Sequence, residues 1–319
     1  MGNGQYVITG GLGYIGQSIA ADLVKRGEKP LIIDRKSGSG QVAGVPKITG
    51  DIREARVWAE LQDRPIEAIV HCAGLIQVGE SVQHPARYFT DNVEAGIAML
   101  SHVMKLGRIP FLFSSSAAVY GQPDAVPIME DAPMRPQNPY GVTKRQFEEV
   151  LASYGHAYGL PYVCLRYFNA VGYYDQVAER HDPETHLLPS VMRLISQGKA
   201  PAIFGHDYPT PDGTAIRDFV HIKDLVRAHI LALNYLRDGG ASMAINAGSG
   251  SGSSVLEVVR AFQQCIPSMP SPDMLPRRPG DPPVLVADIR RAREVLDWVP
   301  QHSNIDSIVS EVVTNWGAN

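Results

Sequence analysis

The sequence predicts an α/β protein: a doubly wound parallel sheet with helices on both faces, followed by a smaller C-terminal α/β domain. Three observations carry this expectation. A short apolar strand, Val7-Ile8-Thr9, runs into a glycine-dense turn and then a helical pattern, with Ile15, Ile19 and Leu23 on one stripe as far as Arg26-Gly27. Further strand patterns at 31–33, 47–49, 68–74 and 109–113 alternate with helical stretches, the order produced when crossover helices join parallel strands. At 319 residues the chain is long enough for one large domain or two closely joined ones.

The glycine turn carries the first functional signal. Gly11, Gly13 and Gly16 fit G-x-G-x-x-G, and Gly10, Gly13 and Gly16 fit the wider G-x-x-G-x-x-G. Missing Cβ atoms let the backbone turn tightly, a pyrophosphate approach the amides, and the helix pack closely on its strand. The helix opens with Tyr14, Ile15 and Gly16, so its free N–H groups and dipole face the phosphates. Asp34 ends the next strand, about 20 residues beyond the glycines, where a carboxylate accepts hydrogen bonds from the adenosine ribose. Together these make a dinucleotide site of the Rossmann type. Asp34 favours NAD over NADP by repelling a 2′-phosphate, although the adjacent Arg35 could receive that phosphate instead.

In chain order, 36–40 is a polar, glycine-rich surface loop near the adenosine, a phosphate contact or a mere connector. Asp51 and Ile52 follow the third strand and can hold adenine by its amino group and flat face. The strand over 68–72 runs into Cys72-Ala73-Gly74, whose small residues let backbone approach a cofactor; close packing alone would also explain them. A long helical pattern spans 81–106, interrupted at Pro85, and Asn92 within it reaches back to the active-site strand. The strand over 109–113 ends in Ser114-Ser115-Ser116.

The chemistry concentrates at Ser116, just past that strand end, and at Tyr140-Gly141-Val142-Thr143-Lys144, which opens a helix behind Pro139. The Tyr-x-x-x-Lys spacing places both side chains on one face, one turn apart. A tyrosine of pKa ~10 is a poor base at neutral pH, and lowering it by ~3 units requires about 4 kcal/mol. An ammonium ~5 Å away supplies on the order of 3 kcal/mol at an effective dielectric near 20. The oxidised nicotinamide adds further positive charge, so the two together suffice.

These motifs, with AGLIQVGESV (73–82), FSSSAAVYG (113–121), LRYFNAVG (165–172), IFGHDYPTPDGTAIRDFVHIKDL (203–225) and RRPGDPPVLVAD (277–288), resemble the extended short-chain dehydrogenases/reductases. Within that family they resemble the UDP-glucose 4-epimerase group of nucleotide-sugar epimerases, over nearly the whole chain. The resemblance implies tightly held NAD and reversible epimerisation at carbon 4 of a UDP-hexose through a transient 4-keto sugar. Tyr140, helped by Ser116, would take the 4-hydroxyl proton, and Lys144 would also hold the nicotinamide ribose. Ser114 and Phe168 would lie along the cofactor, with Asn169 beside the sugar. Arg217 and Arg278 would bind the UDP pyrophosphate, where a guanidinium fork meets two phosphate oxygens; the bland alternative for Arg217 is an ion pair with Asp218. Leu187, Ala202 and Phe204 match positions around the uracil, though apolar packing would also account for them. His186, Ile76 and Leu285 depart from residues common among relatives, leaving N-acetylhexosamine or pentose substrates open. Asp224 reads as a helix N-terminal residue.

The implied layout is an NAD-binding domain over 1–168 and a UDP-sugar domain over 169–319, with the chain recrossing between them and the Pro-rich stretch 267–283 irregular. A homodimer is implied by the resemblance alone. A net charge of -4 with dispersed cations offers no footprint for nucleic acid or anionic lipid. No apolar run approaches the ~20 residues that span a membrane, and no signal segment precedes the first strand, which makes the cytoplasm the default location. Cys72, Cys164 and Cys265 read as buried free thiols, and the histidines form no metal-ligand pair. Two rival readings remain: a nucleotide-sugar 4,6-dehydratase, which needs ionisable residues where Ala117-Ala118 stand, and a non-catalytic NAD-binding protein.

Overall fold

The structure, a computed structural model, describes residues 4–38, 40, 42–179, 184, 186–278 and 281–317. Ser39 of the predicted adenosine loop, most of 180–185 and two residues of the Pro-rich stretch lie outside the described residues. Among the described residues the strands are, in chain order, β1 (Gln5–Thr9), β2 (Lys29–Asp34), β3 (Lys47–Thr49), β4 (Ile66–His71), β5 (Phe111–Ser116), β6 (Tyr162–Tyr167), β7 (Asn169–Val171), β8 (Ala202–Phe204), β9 (Ile216–His221), β10 (Met243–Ala247), β11 (Gly252–Ser254), β12 (Asp273–Leu275) and β13 (Val284–Leu285). The helices are α1 (Tyr14–Lys25), α2 (Ala55–Ala59), α3 (Val78–Gln83), α4 (Pro85–Phe89), α5 (Ala95–Val103), α6 (Pro139–Tyr158), α7 (Leu187–Ser196), α8 (Ile222–Arg237), α9 (Val255–Cys265), α10 (Arg290–Leu296) and α11 (Ile305–Asn315).

Seven strands form the main sheet in the order β10-β6-β5-β4-β1-β2-β3. Every pair in it is parallel. Successive side chains of a strand point to opposite faces, and here both faces are covered. Ile8 joins Ile19 and Leu23 of α1, Leu225 of α8 and Trp298 on one side. Val7 joins Leu100 of α5 and Phe147 and Leu151 of α6 on the other. Each such side chain contributes about 1.5–3 kcal/mol by leaving water, which explains why these strands read as continuous apolar runs. The strand order reverses between β1 and β4, so a crevice opens at the carboxyl ends of these two strands.

The remaining strands build a four-stranded sheet around β9, paired with β11, β13 and β7, and a two-stranded β8–β12 ribbon. Val258 and Phe262 of α9 and Val309 of α11 fill their core. The chain enters β9 before returning to the main sheet through α8 and β10. No helix among the described residues is long and apolar enough to cross a membrane.

Three sequence expectations are corrected in detail. The strand ends in the serines as expected but starts at Phe111, and Ser116, expected just past its end, is its last residue: Ser114, Ser115 and Ser116 pair in register with Leu165, Arg166 and Tyr167. Within the stretch expected to be irregular, Asp273–Leu275 pairs with β8. Cys265, at the end of α9, is exposed rather than buried. The long helical pattern is broken at His84 and contains a π-helical turn, Thr90–Glu94.

Glu311 fastens α11 to the β9–α8 corner. It binds His221 Nε2 at 2.6 Å and Lys223 Nζ at 3.2 Å, and accepts the Tyr173 amide at 3.1 Å. Burial works against its charge, but the hydrogen bond and charge of His221 lead the opposing contributions and hold the carboxyl down to about 2. A depressed carboxyl stabilises the fold above its unfolded pKa, and that contribution is lost as pH falls through the folded value. Stability is therefore expected to fall between about pH 4.5 and 2, by on the order of 2–3 kcal/mol from this group. Glu311→Gln should flatten that part of the acid-unfolding curve; an unchanged curve would remove Glu311 from the account.

Candidate active site

The glycine turn is shaped by close approach. Gly10 has φ +67°, and a Cβ there would lie 2.6 Å from the Ala73 backbone. A Cβ on Gly16 would lie 2.7 Å from the Gly10 carbonyl. No side chain caps the start of α1 at Gly13, so its first N–H groups point into the crevice at the end of β1. The Tyr14 hydroxyl turns away and donates to the Gly172 carbonyl at 2.6 Å, tying this helix to the loop after β7. Ile15 packs against the core beneath.

Asp34 is pre-oriented by the turn it serves, accepting the Leu12 amide at 3.0 Å and the Lys36 amide at 2.9 Å. Arg35 faces Asp91 at 3.4 Å and Asp51 at 3.8 Å, a carboxylate pair that already occupies its charge. Asp51 is gripped by Arg53 through Nε at 2.9 Å and Nη2 at 2.8 Å, and these bonds hold its carboxyl below the usual value. Ile52 is buried beside it.

Cys72, Ala73 and Gly74 leave β4 at the same edge. Asn92 secures that exit: its Oδ1 accepts the Leu75 amide at 2.7 Å, and its Nδ2 donates to the Leu75 carbonyl and to Thr143 Oγ1. The π-helical turn widens the helix where Asn92 projects, a feature common at functional sites. Asn92 thus reaches the β4 loop, as expected, and also α6.

The serine end of β5 meets α6. Asn138 caps this helix by accepting the Gly141 amide at 2.9 Å, with Pro139 in its first position. Lys144 is buried, donates to the Ser114 carbonyl at 2.8 Å, and stacks 4.8 Å from the Phe113 ring centroid and 5.8 Å from that of Tyr140. Burial pushes its ammonium down to about 8. Tyr140 stands one turn before Lys144 on the same helix. Burial raises its phenol above the ordinary value, opposed by a hydrogen bond from Ser116, and Lys144 does not reverse this. The physical reason is that the low-polarity site that strengthens the lysine's field also penalises the phenolate, so a second positive charge is needed.

Ser114 continues a buried chain. Tyr167 OH donates to Ser114 Oγ at 2.7 Å, Ser114 Oγ contacts Cys72 Sγ at 3.1 Å, and Tyr167 also bonds His229 Nε2. Burial drives His229 down to about 4, so it is neutral near pH 7.

On the other side of the crevice, Phe168 lies buried between β6 and β7, in a cluster with Ala117 against which Leu285 packs. Asn169 begins β7 and donates to the Asp218 carbonyl at 3.1 Å. Arg217 pairs with Asp281 rather than Asp218. The Asp218 carboxylate is fully buried and occupied elsewhere, accepting from the Ser249, Gly250 and Ala287 amides. Arg278 stacks on the Phe204 ring at 4.1 Å, two residues along β8 from Ala202. His186 precedes Leu187 at the start of α7 and pairs with Glu179. Asp224 sits in the first turn of α8, where it accepts the Gln301 and His302 amides.

The sequence profile of the NAD dependent epimerase/dehydratase family matches residues 6–248. The chain belongs to this family. It is 42% identical to UDP-glucose 4-epimerase of Azospirillum brasilense, over 97% of this chain and 90% of that one. The structure of UDP-glucose 4-epimerase from Brucella ovis in complex with NAD superposes with a TM-score of 0.93 at 38% identity, covering 98% of both chains. The enzyme of that name from Stenotrophomonas maltophila, with bound NAD and formylated UDP-arabinopyranose, superposes at 0.92 with 34% identity, over 98% and 97% of the chains. NAD is the cofactor of this family member. The glycine turn and Asp34 fit it: a Cβ at Gly10 or Gly16 would strike protein backbone, so only glycine there allows the tight turn that presents the start of α1 to a pyrophosphate.

Sequence reasoning passed over Ser115, Glu148, Arg166, Tyr167, His229 and the carboxylate of Asp218. One signal was available: Glu148 follows Lys144 by four residues, which places it on the same face of α6.

Proposed function

We propose that this chain interconverts UDP-glucose and UDP-galactose by epimerisation at carbon 4, with NAD held in the β1–β4 crevice. The observation that carries this reading is the Ser116–Tyr140–Lys144 group beside a cradle fitted to NAD, in a chain 42% identical to an enzyme named for that reaction. Tyr140 takes the proton of the sugar 4-hydroxyl, with Ser116 hydrogen-bonded to its oxygen, and later returns it. Hydride leaves carbon 4 for the nicotinamide and returns to the opposite face of the sugar, so there is no net redox change. Lys144 holds the nicotinamide ribose and adds positive charge beside Tyr140.

Gly10, Gly13, Tyr14, Ile15 and Gly16 bind the pyrophosphate; Asp34 takes the ribose, and Asp51 and Ile52 the adenine. Cys72, Ala73, Gly74, Asn92, Ser114 and Phe168 line the nicotinamide half. Asn169, His186, Leu187, Ala202, Phe204, Arg217, Arg278 and Leu285 receive the UDP-sugar. Cofactor functions fall mainly within 1–168 and sugar functions within 169–319. The assembly we favour is a homodimer through α4–α5 and α6, which leave Phe89, Ile97 and Tyr158 exposed; light scattering reads this directly. Its compartment is the cytoplasm, in keeping with three free cysteines.

The test incubates purified protein with UDP-glucose and, separately, UDP-N-acetylglucosamine, with no added NAD. Appearance of UDP-galactose is the expected result, and the second substrate reports whether Leu285 leaves room for an acetamido group. No conversion of UDP-glucose, even after NAD is supplied, would overturn the reading. A 4-keto-6-deoxy product would make the enzyme a dehydratase.

A further inference from the structure

The active-site helix is held from beneath by a buried ion pair that the proposed reaction does not use. Glu148 stands one turn beyond Lys144 on α6, and Arg166 projects from β6. Their side chains are 7% and 5% exposed. They meet as a fork, Arg166 Nε to Glu148 Oε1 at 3.0 Å and Nη2 to Oε2 at 2.7 Å. Ser115 donates to the same carboxylate from β5. Arg166 Nη1 is satisfied by the Tyr120 hydroxyl at 2.8 Å and the Glu130 carbonyl at 2.7 Å. Stability alone does not call for this arrangement, because a well-packed apolar pair of similar volume is often as stable or more so.

Placement and charge both point to Lys144. Three consecutive serines of β5 engage three successive turns of α6: the Ser114 carbonyl takes Lys144, the Ser115 hydroxyl takes Glu148, and the Ser116 hydroxyl takes Tyr140. A one-residue slip of α6 would break all three contacts. The other groups around Lys144 carry no charge near neutral pH. They are the Ser114 carbonyl, the rings of Phe113 and Tyr140, Gly74 backed by Asn92, and His71 and Cys72 at the end of β4. Burial holds Cys72 at about 11 and His71 at about 3. Cys72 acts on the ammonium ahead of Glu148, but its thiol is neutral near pH 7, so among the described residues the Glu148 carboxylate is the formal negative charge that acts there.

We propose that Glu148 is a positioning residue of the active site: fixed by Arg166 and Ser115, it sets the register of α6 on the serine strand and supplies the negative charge facing Lys144. This rests on the role of Lys144 given above. The test compares wild type, Glu148→Gln and the double variant Glu148→Gln/Arg166→Met, each with NAD, across pH 6 to 10. In Glu148→Gln, kcat at pH 7 should fall roughly 5- to 10-fold with KM nearly unchanged, and the alkaline limb of kcat should move down by at least ~0.5 pH unit. The double variant removes the Arg166 charge together with its carboxylate partner, so it provides a folded protein should the single variant fail to fold, and its limb should also move down. A limb at the wild-type position in whichever variant folds would overturn the proposal, because a purely structural defect lowers kcat at every pH. Failure of the wild type to epimerise UDP-glucose would instead overturn the functional reading.

Discussion

Tyr140→Phe is expected to cut turnover of UDP-glucose by roughly 10³-fold while NAD stays bound, since the change deletes one oxygen and leaves the ring in place. In the proposed site the pyrophosphate is bound by the backbone of the Gly10–Gly16 turn, which this change leaves intact. Cofactor content and KM should therefore hold while kcat collapses. Burial pushes the phenol above its ordinary value, and the hydrogen bond from Ser116 opposes that shift. Ala117 and Ala118 follow Ser116 with no ionisable group. Rapid-quench measurement of UDP-galactose, together with the NAD content of the purified variant, checks both halves. Turnover within tenfold of wild type would exclude Tyr140 as the base.

Much of this arrangement was legible in the sequence, for reasons that are local. The glycine turn, Asp34 and the Tyr-x-x-x-Lys helix are set by contacts within about one strand–turn–helix unit, so spacing alone places them. The β5 serines were legible as a strand end, but their pairing with β6 depends on a strand some fifty residues later. Partners that meet only in three dimensions were not legible. Arg217 has Asp218 as its chain neighbour, and an adjacent pair is the natural sequence reading. Strand alternation defeats it: consecutive residues of β9 project to opposite faces, so Asp218 turns inward to the Ser249–Gly250 corner while Arg217 turns out toward Asp281. The environment of Tyr140 was legible only in part, for a related reason. Coulomb attraction to a nearby lysine can be read from helical spacing, but the desolvation that opposes it depends on every element packed around the ring.

Lys144→Met should lower turnover and raise thermal stability together. The Lys144 ammonium stands 5.8 Å from the Tyr140 ring centroid, and a unit charge at roughly that distance from a phenolate is worth about 3 kcal/mol at an effective dielectric near 20. Losing it is expected to reduce kcat by roughly 10²-fold or more, with weaker retention of NAD as the ribose loses its ammonium. Stability should move the other way. Burial lowers the Lys144 pKa from 10.5 to about 8, so the unfolded chain binds more protons than the folded chain between those values. Wild-type stability therefore rises with pH across that window, and below it the fold bears the full penalty of a desolvated charge. Methionine fills nearly the same volume without that penalty and packs its sulfur against the Phe113 ring. Thermal unfolding of the NAD-free proteins should show Lys144→Met melting higher than wild type at pH 7, with the difference shrinking toward pH 10. A variant that melts lower at pH 7, or whose difference does not change with pH, would mean that Lys144 is held as a structural cation rather than maintained against stability for catalysis.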